Sequence, residues 1–309
     1  MAIRLKKPVA ETAGEEKTGR LQGIIKSMNP QSLKEKMLSE CSYITSDEEA
    51  FVIYMALELQ KPLLVEGPPG SGKTEIAKVL STILGADLIR LQCYEGLDEG
   101  KALYEWNYQK QILDIQRKTE KDIFGSDYLL PRPLLSAIQA KETPILLIDE
   151  IDKVDTEFEA FLMEVLSDFQ VSIPEYGTVK AVEPPPVVLT SNAVRDLGDA
   201  LRRRCVYLYI NYPSMSREAT IMMLKVEGLK PALALQIARA MYLIRDELSL
   251  LKPPSISESL DLAQAAVSNK ITALDPVFLN ALNSLYMKTR EDQEAFRKKG
   301  GGKWVCRNL

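Results

Sequence analysis

The chain contains no histidine among its 309 residues. This absence excludes Ser-His-Asp and Cys-His nucleophilic catalysis, zinc sites built on imidazole groups, and proton shuttling by histidine. Acid–base chemistry therefore falls to carboxylates. That restriction is compatible with phosphoryl transfer, where positioned charges and one carboxylate are sufficient.

Cysteines are few and scattered. The four of them, Cys41, Cys93, Cys205 and Cys306, lie far apart and form no C-x-x-C pair. The spacing therefore predicts neither a disulfide framework nor a zinc knuckle, and we expect reduced thiols.

Long apolar runs are also lacking. No run approaches the roughly 20 residues of a membrane span, and residues 1–20 contain no apolar signal core, so we expect a cytoplasmic protein. A net charge of −4 argues against broad nucleic-acid binding, which draws most of its affinity from phosphate neutralisation. The apolar and charged fractions, 46% and 27%, are those of an ordinary globular protein.

Five short apolar segments predict β-strands, and helical patterns separate them. They cover residues 62–65, 88–93, 144–148, 187–192 and 206–210. Strands that alternate with helices predict a parallel, doubly wound sheet flanked by helices. Beyond about residue 214 only helical patterns remain, which predicts a second, smaller, all-α domain.

The phosphate-loop motif is the most specific feature of the chain. Residues 67–74 read GPPGSGKT and match G-x-x-x-x-G-K-[ST] in full, between a predicted strand and a predicted helix. Such a turn aims backbone N–H groups and the positive end of the helix at a phosphate chain. The predicted nucleotide-binding residues are Gly67, Pro68, Pro69, Gly70, Ser71, Gly72, Lys73, Thr74, Glu75 and Asp149.

Two of these residues have specific expected roles. We expect Lys73 to reach the β- and γ-phosphates of ATP, and the Thr74 hydroxyl to hold Mg²⁺. ATP and Mg²⁺ are therefore the predicted cofactors.

An acidic pair ends the third predicted strand. Asp149 would lie beside the phosphate loop, where it can hold Mg²⁺ through water, and Glu150 can orient and deprotonate the attacking water. Alternatively, both carboxylates only cap a helix that begins near Asp152. Asn192 ends the next strand, where its amide can hold the same water; the alternative is that residues 191–193 are only a turn.

Three consecutive arginines, Arg202, Arg203 and Arg204, precede the last predicted strand. Three adjacent guanidinium groups need carboxylates, phosphates or solvent as partners. One of them acting on the nucleotide of a neighbouring subunit would be an arginine finger, which requires an oligomer. The alternative is a solvated patch or salt bridges within the chain.

The order of these motifs resembles that of AAA+ ATPases, and more closely the MoxR-like branch that includes CoxD, over roughly residues 40–285. On this resemblance, residues 67–74 are Walker A, residues 146–150 are Walker B, and Asn192 occupies the sensor 1 position. Arg204 matches the arginine-finger position best, and Arg202 and Arg203 remain candidates.

The resemblance also implies domain boundaries. We expect a flexible N-terminal arm over residues 1–40, an α/β nucleotide-binding domain over 41–212, a helical lid domain over 213–290 and a flexible tail over 291–309. The arm is polar and interrupted by glycines, and the tail is charged and then glycine-rich. The capping box Ser46-Asp47-Glu48-Glu49 predicts a helix that leads into the first strand.

Two segments resemble features of the CoxD subgroup. Residues 104–111, YEWNYQKQ, resemble a CoxD-type signature, with an amphipathic surface and buried aromatics as the alternative interpretation. Residues 169–183 resemble a hairpin inserted before sensor 1, with its turn at Tyr176-Gly177. The sequence leaves open whether residues 94–106 line a central pore or pack internally.

One position departs from the AAA+ pattern. The sensor 2 helix usually carries an arginine, but residues 254–259 contain none, and Ser257 occupies that place. Arg239 or Arg245 in the preceding helix would be substitutes, unless they are ordinary exposed helix charges. Weakened coupling between the domains would favour a slow ATPase.

The resemblance implies a hexameric homo-oligomeric ring with nucleotide bound between neighbours. It further implies a chaperone that remodels client proteins together with a partner bearing a von Willebrand factor A domain. For CoxD-like members the client is a metal centre in molybdenum hydroxylases such as carbon monoxide dehydrogenase.

Two other functions stay open. A DNA-processing AAA+ motor or loader needs a basic track, but besides the three arginines the clearest cationic cluster is Arg297-Lys298-Lys299. A monomeric phosphotransferase with the same loop would rarely need a helical domain and a trans arginine.

Overall fold

The structure is a computed structural model that describes residues 19–117 and 122–309. Its centre is a five-stranded sheet, ordered β2-β5-β8-β1-β9, in which every pairing is parallel. The strands are β1 Leu63–Glu66, β2 Leu88–Gln92, β3 Tyr104–Trp106, β4 Leu129–Pro131, β5 Ile145–Asp149, β6 Gln170–Ile173, β7 Gly177–Lys180, β8 Val187–Ser191 and β9 Val206–Tyr209. All five predicted strands lie in this sheet, and the predicted fold class is confirmed.

Helices cover both faces of the sheet and form a separate layer at its C-terminal side. They are α1 Arg20–Lys26, α2 Pro30–Cys41, α3 Asp47–Glu58, α4 Lys73–Leu84, α5 Glu99–Ala102, α6 Tyr108–Gln116, α7 Pro133–Ile138, α8 Thr156–Asp168, α9 Asp199–Arg204, α10 Met215–Lys225, α11 Pro231–Glu247, α12 Ile256–Ser268, α13 Pro276–Ala281, α14 Asn283–Tyr286, α15 Arg290–Lys299 and α16 Gly301–Arg307.

The central strands are buried on both faces, as their continuous apolar runs predict. Every residue of β1, β5 and β8 is buried. Leu64 and Leu146 pack into the core on one side, and Val65 and Leu147 into the core on the other. The parallel register brings the carboxyl ends of the three strands to one edge of the sheet.

The predicted capping box opens α3. The Glu49 amide donates to the Ser46 hydroxyl at 3.1 Å, and the Glu49 carboxylate accepts from the Ser46 amide at 2.9 Å. These two bonds satisfy N–H groups that have no partner inside the helix. The helix then leads into β1, as expected.

The N-terminal segment differs from the expected flexible arm. Residues 20–26 and 30–41 form α1 and α2, whose Ile25, Leu33 and Met37 are fully buried against the sheet. Apolar residues at helical spacing therefore outweigh the polar composition of the segment. The expectation is wrong for residues 19–40, and residues 1–18 lie outside the described residues.

The prediction of a flexible tail over residues 291–309 is also wrong. α15 and α16 belong to the helical layer, where Phe296 and Val305 are fully buried. One of the three glycines that suggested disorder permits close packing, since a Cβ on Gly302 would lie 2.5 Å from the Pro276 carbonyl oxygen. The helical layer consequently runs from Met215 to Arg307, beyond the predicted boundary at 290.

The hairpin expected over residues 169–183 is present. β6 and β7 pair antiparallel, from Gln170 opposite Lys180 to Ile173 opposite Gly177. The connection therefore covers residues 174–176, with Glu175 at φ 64°, so the turn lies earlier than the predicted Tyr176-Gly177.

The CoxD-like segment forms β3 and the start of α6. The Tyr104 and Trp106 rings meet edge to face at 6.1 Å, and both pack on the sheet core. Tyr94 and Tyr108 are exposed. The two strand aromatics thus pack internally, as the alternative interpretation expects.

Among the described residues, no helix has the length and apolar character needed to cross a membrane.

Candidate nucleotide site

A cleft of about 350 Å³ opens where the central strands end and the helical layer begins. Its volume lies within the range of small-molecule sites, roughly 300–1,000 Å³. Predicted site residues that line it are Pro69, Gly70, Ser71, Gly72, Lys73, Thr74, Glu75, Asp149, Glu150 and Asn192. The helical layer contributes Arg217, Ile221, Lys225, Ile256, Ser257 and Leu260. Residues far apart in the sequence thus meet in one place, at the edge where ligands bind in open α/β sheets.

Backbone geometry explains two loop glycines. Gly72 has φ 91° and is the N-cap of α4, a conformation that glycine adopts at little cost. Gly70 has φ 71°, and a Cβ there would lie 2.2 Å from the Ser255 hydroxyl oxygen, at the N-cap of α12. The loop therefore approaches the helical layer closely at Gly70.

Lys73 is buried within its own loop. Its ammonium donates to the carbonyl oxygens of Gly67 and Pro68, both at 2.8 Å. Burial lowers the pKa of Lys73, and the negative charges of Asp152 and Asp149 oppose that effect. These contacts hold the ammonium where a phosphate chain along the loop amides would meet it.

Ser71 carries a buried hydroxyl oxygen that makes no hydrogen bond in the described structure. Buried polar atoms normally have a partner. An orphaned hydroxyl inside a phosphate loop fits a nucleotide oxygen as that partner.

Asp149 and Thr74 lie in direct contact. The Thr74 hydroxyl donates to Asp149 Oδ1 at 3.0 Å, and Thr190 donates to the same oxygen. The Arg90 guanidinium donates to Asp149 Oδ2. Oxygen ligands from one hydroxyl and one carboxylate, beside a phosphate loop, suit Mg²⁺, which takes its remaining ligands from phosphates and water. The residues present therefore fit the predicted metal.

Glu150 stands in the left-handed backbone region, at φ 60°, directly after β5. Its carboxylate accepts hydrogen bonds from Gln92 Nε2 at 2.9 Å and Asn192 Nδ2 at 3.4 Å, and lies 2.5 Å from Lys153 Nζ. It makes no capping bond to the short 3₁₀ helix that follows. The capping alternative therefore does not hold for Glu150.

Asp152 fixes the position of Asn192. Its Oδ2 accepts from the backbone amides of Asn192 at 3.1 Å and Val194 at 3.0 Å. Ala193, between them, has φ 56°. Residues 191–193 do form a turn, and that turn also brings the Asn192 amide to Glu150.

The three arginines differ in their surroundings, and none lines the cleft of its own chain. Arg202 pairs with Glu66 at 3.0 Å, so it matches the alternative of a salt bridge within the chain. Arg204 is exposed and donates to the Met163 carbonyl at 3.2 Å. Arg203 is exposed.

The proposed substitutes for a sensor 2 arginine lie away from the cleft. Arg245 is buried, and its two terminal nitrogens donate to both oxygens of Glu218, at 2.8 and 2.6 Å. Arg239 is exposed on α11. Ser257 lines the cleft, as expected. Arg245 therefore matches neither alternative, because it does not line the cleft and its pair with Glu218 leaves it largely buried.

The sequence analysis did not identify several polar residues that hold the acidic pair or Asn192. Arg90, Gln92, Lys153 and Thr190 contact the acidic pair, and Asp152 holds Asn192. The sequence did contain a pattern that indicates two of these residues, Arg90 and Gln92. Arg90 and Gln92 alternate along the otherwise apolar strand LIRLQ, which predicts two polar side chains on one face.

Comparisons with known proteins agree with this geometry. Residues 62–205 match the AAA domain family, dynein-related subfamily. An uncharacterized protein of Staphylococcus aureus (strain bovine RF122 / ET3-1) is 32% identical over 179 residues, which cover 55% of this chain and 63% of the relative. An uncharacterized protein of Staphylococcus haemolyticus is 28% identical over 178 residues, with the same coverage. The chain thus spans less than two thirds of these relatives.

Among solved structures, the Thermotoga maritima RuvB Holliday junction branch migration motor aligns with 88% of this chain and 70% of its own. The identity is 16% and the TM-score 0.41, too low to support an argument about function. The domain match contains the phosphate loop, the acidic pair and four of the five strands of the sheet. Residues 62–205 of this chain therefore resemble the AAA domain family, and a helical region follows them.

Proposed function

We propose that this chain is an ATPase that hydrolyses ATP to ADP and phosphate in the cleft. The observation that carries the proposal is the meeting of Lys73, Thr74, Asp149, Glu150 and Asn192 in that single cleft. Hydrolysis by positioned charges and one carboxylate needs no other chemistry from the protein.

In this proposal the side chains of the cleft have separate roles in ATP hydrolysis. Lys73 and the loop amides bind the phosphate chain, and Thr74 and Asp149 hold Mg²⁺, the latter through water. The bound metal neutralises charge on the phosphates. Glu150 accepts the proton of the attacking water, and Asn192, 3.4 Å from that carboxylate, orients the same water.

Glu150→Gln tests the base. The variant keeps the shape of the side chain and one acceptor oxygen but cannot take a proton. We expect nucleotide affinity to persist while turnover falls by about 10²- to 10⁴-fold, as measured by phosphate release and by binding of a fluorescent ATP analogue. Glu142→Gln, an exposed residue outside the cleft, is the matched control. Normal turnover by Glu150→Gln would remove the assigned base.

The active form in this proposal is a hexameric ring, in which an arginine of one subunit completes the site of its neighbour. Arg203 and Arg204 support this arrangement because both are exposed and lie outside the cleft of their own chain. Light scattering of Glu150→Gln with ATP and Mg²⁺ tests it. Monomers alone would overturn the ring and favour a phosphotransferase.

The biological role we propose is remodelling or maturation of client proteins, as in the MoxR-like branch that the sequence resembles. The expected partners are a von Willebrand factor A domain protein and a client, with a metal centre of a molybdenum hydroxylase as the client that the CoxD resemblance suggests. The β6–β7 hairpin supports this assignment.

Proteins that copurify with Glu150→Gln in ATP, but not with Lys73→Ala, would identify the client. Recovery of DNA-repair proteins, together with stimulation of hydrolysis by DNA at low salt, would instead support a DNA motor.

A further inference from the structure

Strand β2 places two polar side chains on one face, and each contacts a different acidic residue at the end of β5. Arg90 donates to Asp149 Oδ2 and to Gln92 Oε1. Gln92 donates to Glu150 at 2.9 Å. β2 is an edge strand of the sheet, and Arg90 is exposed.

Each residue of the acidic pair, Asp149 and Glu150, has a cation of its own. Asp149 pairs with Arg90, and Glu150 with Lys153. Asp152 is the strongest of the acidic charges acting on Lys73. The acidic residues are thus already compensated by protein charges before any metal is considered.

Arg90 and Asp149 differ sharply in exposure. The Asp149 side chain is 4% exposed and that of Arg90 is 53% exposed. A buried carboxylate needs a compensating charge, whereas a half-exposed guanidinium can turn into water at little cost. The pair can therefore separate if another cation compensates Asp149.

We propose that Arg90 competes with Mg²⁺ for Asp149 and so sets the metal concentration that the site requires. This inference depends on the proposed function, because the metal is the one bound with ATP. The competition has a geometric reason: Thr74 and Thr190 donate to Oδ1, and Arg90 occupies Oδ2, the oxygen that remains for a metal-bound water. The competition also has an electrostatic reason, since the Arg90 guanidinium and a metal ion beside the same Asp149 carboxylate repel each other.

The experiment compares Glu150→Gln with the double variant Arg90→Met and Glu150→Gln, so that hydrolysis does not disturb the measurement. Mn²⁺ binding in the presence of ATP is followed by electron paramagnetic resonance. In parallel, binding of a fluorescent ATP analogue is titrated with Mg²⁺. We expect the half-saturating metal concentration to fall by about three- to tenfold, a modest change because the arginine is half exposed.

Arg132→Met in the same background is the matched control, since Arg132 pairs with Glu105 away from the cleft and both are about half exposed. It should leave the metal requirement unchanged. Arg90→Lys keeps the charge and should stay close to the parent value. If Arg90→Met lowers the melting temperature, Arg90→Gln gives the same comparison with a polar side chain.

An unchanged or higher metal requirement in both Arg90→Met and Arg90→Gln overturns the inference, and would leave a fixed salt bridge or a contact with the phosphates as the role of Arg90. If the Glu150→Gln parent binds no ATP analogue even at saturating Mg²⁺, the proposed function itself fails. The two failures are therefore distinguishable.

Discussion

Single residues in the cleft obtain their chemistry from partners on other strands. Glu150 is held by Gln92 of β2 and by Asn192 after β8, and its backbone adopts a left-handed conformation. Such a conformation costs a non-glycine residue about 1–3 kcal/mol, so the surrounding contacts must enforce it. The geometry of the proposed base is thus a property of three strands together.

The arginines allow a test of the trans arrangement. We expect Arg204→Ala, and to a lesser degree Arg203→Ala, to lose hydrolysis with little change in melting temperature, because both are exposed. A finger arginine contributes about 10³- to 10⁵-fold in rate in phosphoryl-transfer systems. Arg202→Ala should instead destabilise the fold by about 1–3 kcal/mol, since its pair with Glu66 is largely buried.

Mixing experiments separate trans from cis action. Arg204→Ala and Lys73→Ala are each inactive alone in this proposal. A mixed ring contains some interfaces with an intact loop on one side and an intact arginine on the other, so mixing should restore part of the phosphate release. A mixture that stays inactive would contradict a finger supplied by the neighbour.

At the scale of elements, two helices show why composition misled the prediction for the chain ends. α1 and α16 each contain glycines, which lower helix propensity. In α16, however, Gly302 is where the backbone of α13 comes close. In α1, Gly23 faces open space and has no such neighbour.

This difference predicts that a glycine-to-alanine substitution has opposite effects on stability at the two positions. Gly302→Ala should destabilise the chain by about 1–3 kcal/mol, because the new methyl group meets the Pro276 backbone. Gly23→Ala should stabilise it by about 0.5–1 kcal/mol through helix propensity. Chemical denaturation followed by circular dichroism measures both. Equal effects would show that α16 does not pack as described.

At the scale of the whole molecule, the helical layer is joined to the α/β part of the chain through a largely buried ion pair. Arg217 of α10 donates to both carboxylate oxygens of Glu49, each at 2.8 Å, and to the Ile44 carbonyl at 2.7 Å. All three residues lie at or beside the cleft, which Arg217 and Ile44 line. The same contacts that join the two parts therefore border the nucleotide site.

This link predicts a pH dependence. Burial raises the pKa of Glu49, but hydrogen bonds from Arg217 and Ser46 outweigh it, so the net pKa lies below the ordinary value of 4.5. A lowered carboxylate pKa contributes stability that is present above the ordinary value and is lost as pH falls through the folded-state value. We expect Glu49→Gln to cost about 3 kcal/mol at pH 7 and to reduce the loss of stability below pH 4.5.

Chemical denaturation at a series of pH values checks this, with Glu48→Gln, an exposed residue of the same helix turn, as the control. An identical pH profile for Glu49→Gln and the unchanged protein would contradict the assignment.

The amino-acid sequence by itself determined the elements whose signals are local. The apolar runs specified five strands, of which the three central ones are buried on both faces. The glycine-rich motif specified the turn between β1 and α4, and the capping box specified the start of α3. Each of these elements depends on residues within a few positions of one another, so residue spacing and residue type are sufficient to predict it.

Only the tertiary structure decided which side chains share the cleft and what holds them. The contacts of Arg90 and Gln92 with the acidic pair, and of Asp152 with Asn192, join residues about 40 to 60 positions apart through parallel strand pairing. The chain ends also depend on long-range packing, which buries Met37 and Phe296 in segments whose composition is polar. The register of the sheet and the packing of the hydrophobic cores determine which distant residues come into contact. Neither can be predicted from the spacing of residues along a short segment.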